Sequence, residues 1–373
     1  MNEIKINSTT LNVLRVYATA LVFFCHSTLI AEECFDYHLY GVLHIINTPA
    51  WGGVWIFLVM GGFLAAYGFD QQKYTISKAG IKDYYMGRLV KVLVPTWIFL
   101  SLMYIFNMQE AQVNITTVLR WITCTFNGPG AGIKRVGASW YVFVIMWLYL
   151  LTPILLNQIY KFENRYKGRM IIFYCLCIVA ICGLGIFFRA GGVIWNRLYD
   201  DQFYYNWCYA NVTGTIDMFL IGMIGERMMR YLPEIHNSKI RKYRKCALWT
   251  LIITTCIFLG NVKYQTTIYK IVGPSLFSLS TILVIIAYSY KCNDRNTQAT
   301  DTKLIAICNL VAPYAFMFYL WHSPVLGFVA EKVKIQDSNL HYLAMLIIGG
   351  FITIYVAFLM TKMNNGIIKT IIK

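Results

Sequence analysis

Residues 11–30, LNVLRVYATALVFFCHSTLI, form an apolar run of the length that spans a bilayer, yet the run contains Arg15 and His26. Ionisable side chains are expensive inside a membrane, so a cation and an imidazole within one run point to function rather than packing. In a helix, the interval from Arg15 to His26 returns the two side chains to within about 20° of one face and separates them by roughly 16 Å along the axis. One helix then offers a fixed cation near one end and a titratable imidazole near the other. Both are expected to border a single continuous cavity.

The rest of the chain repeats the apolar theme. Of 373 residues, 58% are hydrophobic and 13% charged, and the mean hydropathy of +0.54 lies outside the range of soluble domains. Apolar runs occur about ten times, each near the length of a spanning helix, at 11–30, 50–69, 92–107, 139–159, 170–188, 212–229, 246–262, 270–290, 308–328 and 340–361. The run 92–107 is the least regular, but its Pro95 falls in the first turn, where proline does least harm. The loops 31–49, 108–138 and 189–211 are too short to be domains. The chain therefore reads as an all-α polytopic membrane protein, a single integral membrane domain over 1–373.

Lys and Arg placement orients it. Lys73, Lys78, Lys82, Arg88 and Lys91, then Arg165 and Arg169, then Lys239, Arg241, Lys242, Arg244 and Lys245 fall on one side of the alternation. The opposite loops carry fewer, among them Arg120, Lys134, Arg135, Arg189 and Arg197. The positive-inside bias then places both termini in the cytoplasm. It also explains the net charge of +16 through topology and anionic lipid, without a nucleic-acid partner. Cys34, Cys124 and Cys208 fall in outward loops, a set that leaves room for one disulfide. No His, Cys or carboxylate spacing suggests a metal, and no Gly-rich phosphate loop is present.

Buried polar residues then sort into two layers. The outer layer holds His26, Asp217 near the start of its run, His322 beside Ser323-Pro324, and Ser139-Trp140-Tyr141. Each has a plainer reading. A buried Asp can pair with an Arg, a His beside a proline can bond a backbone carbonyl, and Trp140 and Tyr141 suit an interfacial aromatic belt. The cytoplasmic layer holds Arg15, with Arg88 and Lys91 sharing a helix face. These three offer a site for the phosphates of a large anionic cosubstrate, although flanking cations also serve as ordinary headgroup anchors.

The motifs, in order, resemble the integral membrane acyltransferase-3 family: Arg15 and His26 on the first span, Gly53 through Gly61-Gly62-Phe63 on the second, then Arg88-Leu-Val-Lys91 leading to Pro95. Ser139-Trp140-Tyr141 with Tyr149 and Pro153, and Tyr319-Leu-Trp-His322-Ser-Pro324, complete the set. The likeness covers nearly the whole chain and is closest to the stand-alone members. Two departures stand out. Gly61 replaces the serine usual there, which removes a hydroxyl, and Lys91 replaces the second arginine of the basic pair, which removes a planar fork.

The resemblance implies an acyltransferase in a bacterial plasma membrane, acting on an extracytoplasmic glycan or lipid-linked sugar. Acyl-coenzyme A, acetyl-CoA in the simplest case, would be the cosubstrate, with no permanently bound cofactor. Arg15, Arg88 and Lys91 would hold the donor and His26 would act as general base. Asp217 or His322 would orient His26 or position the acceptor, while Ser139, Trp140 and Tyr141 are candidates for acceptor binding or oxyanion stabilisation. An acyl-imidazole on His26 is a second chemical route. Two other classes remain open from the residues alone, a carrier or flippase for a glycan or small anion and a non-catalytic partner in polysaccharide synthesis.

Overall fold

A computed structural model describes residues 7–35, 51–107, 113–125, 133–165, 168–199, 202–232, 237–258, 266–289 and 303–371. Its helices are α1 (Ser8–Phe35), α2 (Trp51–Asp70), α3 (Lys78–Arg88), α4 (Val94–Phe106), α5 (Ile115–Thr123), α6 (Trp140–Arg165) and α7 (Met170–Leu198). They continue with α8 (Val212–Met229), α9 (Asn237–Ile257), α10 (Thr267–Ser289), α11 (Lys303–Val311), α12 (Ala315–Lys332) and α13 (Ser338–Ile371). Among the described residues there is no strand. Eight segments are long and apolar enough to cross a membrane: α1, α2, α3 with α4, α6, α7, α10, α11 with α12, and α13. The protein is an all-α, multi-pass membrane protein. Helices α8 and α9 occupy the two remaining expected places, but α8 carries Asp217, Glu226 and Arg227, and α9 opens on the basic run from Lys239 to Lys245.

Local chemistry sets the helix boundaries. Asn114 and Asn211 cap α5 and α8 by accepting the backbone N–H of Thr117 and Thr213, so two Asn-x-Thr triplets are helix starts. A π-helical turn, Leu89–Leu93, joins α3 to α4 directly before Pro95, absorbing the hydrogen bond that proline removes. A 3-10 turn over Ala312–Tyr314, which contains Pro313, separates α11 from α12.

The bundle is centred on α2, buried along most of its length and packed most extensively against α8. That contact depends on two glycines. A Cβ on Gly62 would stand 2.0 Å from the carbonyl oxygen of Phe219, and one on Gly222 would stand 2.1 Å from that of Val59. The backbones therefore meet with no room for a side chain. At the periphery, α7 and α13 expose Leu176, Val179, Phe187 and Phe351, as helices facing lipid do.

At the end of the bundle that carries the start of α1, a polar cluster ties α2, α6, α7 and α8 together. Arg227 pairs with Asp70 of α2 and Glu163 of α6, Arg230 pairs with Asp70, and Tyr174 donates to Glu163. This network was not foreseen, because its members are scattered through the sequence.

Several expectations change. Helix α7 continues past 188, so Arg189, read as an outward loop residue, is fully buried within it. Asp217 supplies the counter-charge that lets it stay there, with Arg189 Nη1 to Asp217 Oδ2 at 2.7 Å. The expected loop 108–138 contains α5, and 189–211 contains a π-helical turn, Tyr204–Tyr209. Residues 36–49 of the loop expected at 31–49 lie outside the described residues. Cys34, Cys124 and Cys208 are free thiols, so none pairs with another.

Candidate active site

At the far end of α1 a cavity of about 520 Å³ opens between α1, α2, α6, α10, α12 and the Tyr204–Tyr209 turn. His26 lines it. Helix α1 is unbroken from Ser8 to Phe35, so Arg15 and His26 keep the separation that the sequence implied.

Behind His26 stands His322 of α12, completely buried. Its Nδ1 lies 2.6 Å from the carbonyl oxygen of Tyr319, and its Nε2 lies 2.7 Å from Nδ1 of His26. A carbonyl only accepts, so His322 Nδ1 carries a proton. With both rings neutral, His322 Nε2 then accepts from His26 Nδ1–H, and the nitrogen of His26 left with a free lone pair is Nε2. The chain Tyr319 carbonyl, His322, His26 fixes one tautomer of the cavity imidazole. That is the task the third residue performs in a nucleophile–base–orienter arrangement.

The cavity walls are aromatic and polar. Trp51 stacks on Tyr209 with centroids 4.1 Å apart, and Trp140 lies 4.8 Å from the same ring. Asn196, Gln202, Tyr204, Tyr205, Lys270 and Ser323 add polar groups. Burial pushes the Tyr205 phenol up to about 12, so it is a neutral hydroxyl near pH 7. Arg135 enters from the α6 side and pairs with Glu331 at 2.6 Å. It lies across Gly327, where a Cβ would come within 2.3 Å of its Nε, so a side chain there would displace the arginine.

The remaining outer-layer candidates separate. Trp140 lines the cavity, and Ser323, next to His322, joins it. Ser139 is buried and donates its hydroxyl to the carbonyl of Val136 at 2.7 Å, closing the turn that starts α6. Tyr141 is buried against Phe57 and Tyr319. Neither Ser139 nor Tyr141 lines the cavity. Asp217 is held by Arg189, whose other nitrogens donate to the Ile271 carbonyl at 3.1 Å and to Ser275 at 2.8 Å. It too is absent from the cavity wall.

The second layer converges on Tyr149. Arg88 packs over its ring at 4.4 Å and over that of Tyr84 at 5.1 Å, and Arg15 lies within electrostatic range of it. Arg15 is partly buried and donates to Asn12 at 3.1 Å. Arg88 keeps a buried Nε without a hydrogen-bond partner. Lys91, on the π-helical turn, is exposed. The missing hydroxyl at position 61 belongs to this layer, since a Cβ on Gly61 would lie 3.6 Å from the Tyr149 hydroxyl.

The expectation of one continuous cavity is corrected. The wall of the His26 cavity includes Val22, Val54 and Tyr319 but not Arg15, Arg88 or Lys91. Phe57, Tyr141 and Tyr319 pack at the level between the layers, with centroids 5.5 to 6.2 Å apart. Residues missed from sequence, Trp51, Arg135, Asn196, the Tyr204–Tyr209 turn and Lys270, come from segments that read as loops and helix ends. Their one available signal was a density of Tyr and Trp over 199–209.

Neither the curated proteins nor the solved structures compared with the chain gave a match. The sequence profile of an acyltransferase domain matches residues 9–362, which takes in every element described above except the ends of α1 and α13. With its spanning helices and that match over nearly its whole length, the chain belongs to the acyltransferase-3 family and is an integral membrane acyltransferase.

Proposed function

We propose that this acyltransferase moves an acyl group, acetyl in the simplest case, from a cytoplasmic acyl-coenzyme A to a hydroxyl of an extracytoplasmic glycan or lipid-linked sugar in a bacterial plasma membrane. The observation that carries the reading is the hydrogen-bonded chain from the Tyr319 carbonyl through His322 to His26, ending at the cavity. An imidazole held in that tautomer accepts a hydroxyl proton on Nε2 as the acceptor oxygen attacks the thioester carbonyl. The carbon–sulfur bond then breaks, and the departing thiolate recovers the proton from the imidazolium. No metal is required by this balance of atoms.

Stacked and edge-on aromatic rings interleaved with hydroxyl and amide groups suit a sugar, whose faces are apolar and whose rim is polar. Arg15 and Arg88, with Lys91 exposed beside them, suit coenzyme phosphates, because no carboxylate among the described residues pairs with either arginine. Lys and Arg bias puts this layer in the cytoplasm. The acyl-bearing end of the donor then passes between Phe57, Tyr141 and Tyr319, so displacement of those rings is part of the reaction.

The test is acyl transfer in vesicles containing the purified protein, with labelled acyl-CoA on one side and acceptor on the other. His26→Ala is expected to stop transfer while cells still export the glycan unacylated. Loss of export with the same variant would support a carrier instead and overturn the reading.

A further inference from the structure

A second chamber of about 390 Å³ adjoins the His26 cavity, and the two share Asn196, Tyr204 and Lys270 as a common wall. Its remaining polar lining includes Arg197 and Thr267. The charges of the two chambers differ in how they are satisfied. In the first, Glu33 pairs with Lys134 at 3.6 Å and Arg135 pairs with Glu331, so those charges are matched. Lys270 and Arg197 have no carboxylate partner among the described residues and repel each other.

The neutral groups beside them are committed in one direction. Asn196 Oδ1 accepts the backbone N–H of Tyr204 at 2.9 Å, which leaves the amide NH₂ to donate. Thr267 Oγ1 accepts from Arg197 Nη2 at 2.6 Å, which leaves its O–H to donate. Tyr204 gives its own proton to the Lys270 carbonyl at 2.7 Å and carries the Lys270 ammonium over its ring at 5.2 Å. An ammonium, a guanidinium, an amide NH₂ and a hydroxyl thus all present donors to one space. Such a set complements the oxygens of an anion and suits a neutral sugar rim poorly, because sugar hydroxyls also need acceptors to receive their protons.

We propose that this chamber binds an anionic group of the acyl acceptor, a carboxylate or phosphate, so that the enzyme selects an acidic glycan or a phosphate-bearing sugar. This rests on the reading of the adjoining cavity as the acceptor site. A sugar lying across Tyr204 places its anionic group against Lys270 and Arg197 and a hydroxyl on the His26 side. Specificity then comes from a cation pair that no carboxylate among the described residues matches.

Binding, rather than turnover, provides the test, so that its outcome is separable from that of the transfer assay. The protein in phosphatidylcholine nanodiscs is titrated with a galacturonate trisaccharide, with the galactose trisaccharide obtained by reducing its carboxyl groups, and with galactose 1-phosphate. At least one of the two anionic probes is expected to bind about tenfold or more tightly than the neutral one, the ratio one charge-assisted contact supports. The ratio is expected to fall to near one in Lys270→Met combined with Arg197→Gln, and to persist in Lys270→Arg. Melting temperatures of the variants verify folding. Equal binding of all three probes by the parent protein overturns the proposal, as does a preference that survives the double substitution. If the substitutions change only the binding of added phosphatidylglycerol, the chamber is a headgroup site and the proposal fails.

Discussion

Nε2 of His322 stands 2.7 Å from Nδ1 of His26, across two helices whose residues are 296 apart in the chain. Because His322 spends its other nitrogen on the Tyr319 carbonyl, the pair has a direction, and the free lone pair belongs to the ring at the cavity. His26→Ala is expected to lower kcat at least about a hundredfold, the usual weight of a positioned base. His322 acts through His26, so His322→Phe should lower kcat with little change in acceptor KM. His322→Gln, which keeps an acceptor oxygen near His26 Nδ1–H, should recover part of the rate. Equal loss with Gln and Phe would show that His322 only fills space.

The basic layer is expected to act on the donor alone. Arg88→Met should raise KM for acyl-CoA about tenfold or more, with acceptor KM unchanged, because a half-buried planar cation is lost. Lys91→Met should do much less, since Lys91 is exposed and screened by solvent. Steady-state kinetics with each substrate varied in turn would distinguish the two, and an effect of Arg88→Met on acceptor KM would contradict the layering.

Ring displacement between the layers has its own consequence. Phe57 contacts both Tyr141 and Tyr319. Enlarging it in Phe57→Trp is expected to slow transfer while leaving acyl-CoA binding intact, whereas Phe57→Leu should be tolerated. Single-turnover rates alongside equilibrium binding of a non-hydrolysable acyl-CoA analogue measure both quantities.

Asp217 is expected to matter for stability before chemistry. Asp217→Asn leaves Arg189 buried with an unmatched charge, a loss of about 3–5 kcal/mol for breaking such a pair. Replacing both, as Asp217→Asn with Arg189→Met, should restore much of that stability and retain transfer activity. Denaturation of the detergent-solubilised protein and the transfer assay together decide it; inactivity of a well-folded double variant would return Asp217 to the site.

The α2–α8 contact makes a simpler prediction. Gly222→Ala puts a methyl group where the Val59 carbonyl already stands, so the helices must separate, at a cost of about 1–3 kcal/mol or more. Gly191→Ala, at an open position on α7, should be neutral or slightly stabilising in the same melting experiment.

The length and repetition of apolar runs determined that this chain is helical and crosses a membrane, because every backbone group in lipid must be satisfied within its own segment. Helical periodicity likewise places Arg15 and His26 on one face. What remained illegible was which buried charge meets which. Asp217 and His322 looked alike in sequence, as polar residues in apolar helices, yet one is neutralised by Arg189 and the other is joined to His26. Partners for such groups lie on helices far apart in the chain. Only the packing of those helices decided the partners, and it also set the rings of Phe57, Tyr141 and Tyr319 against one another between the layers.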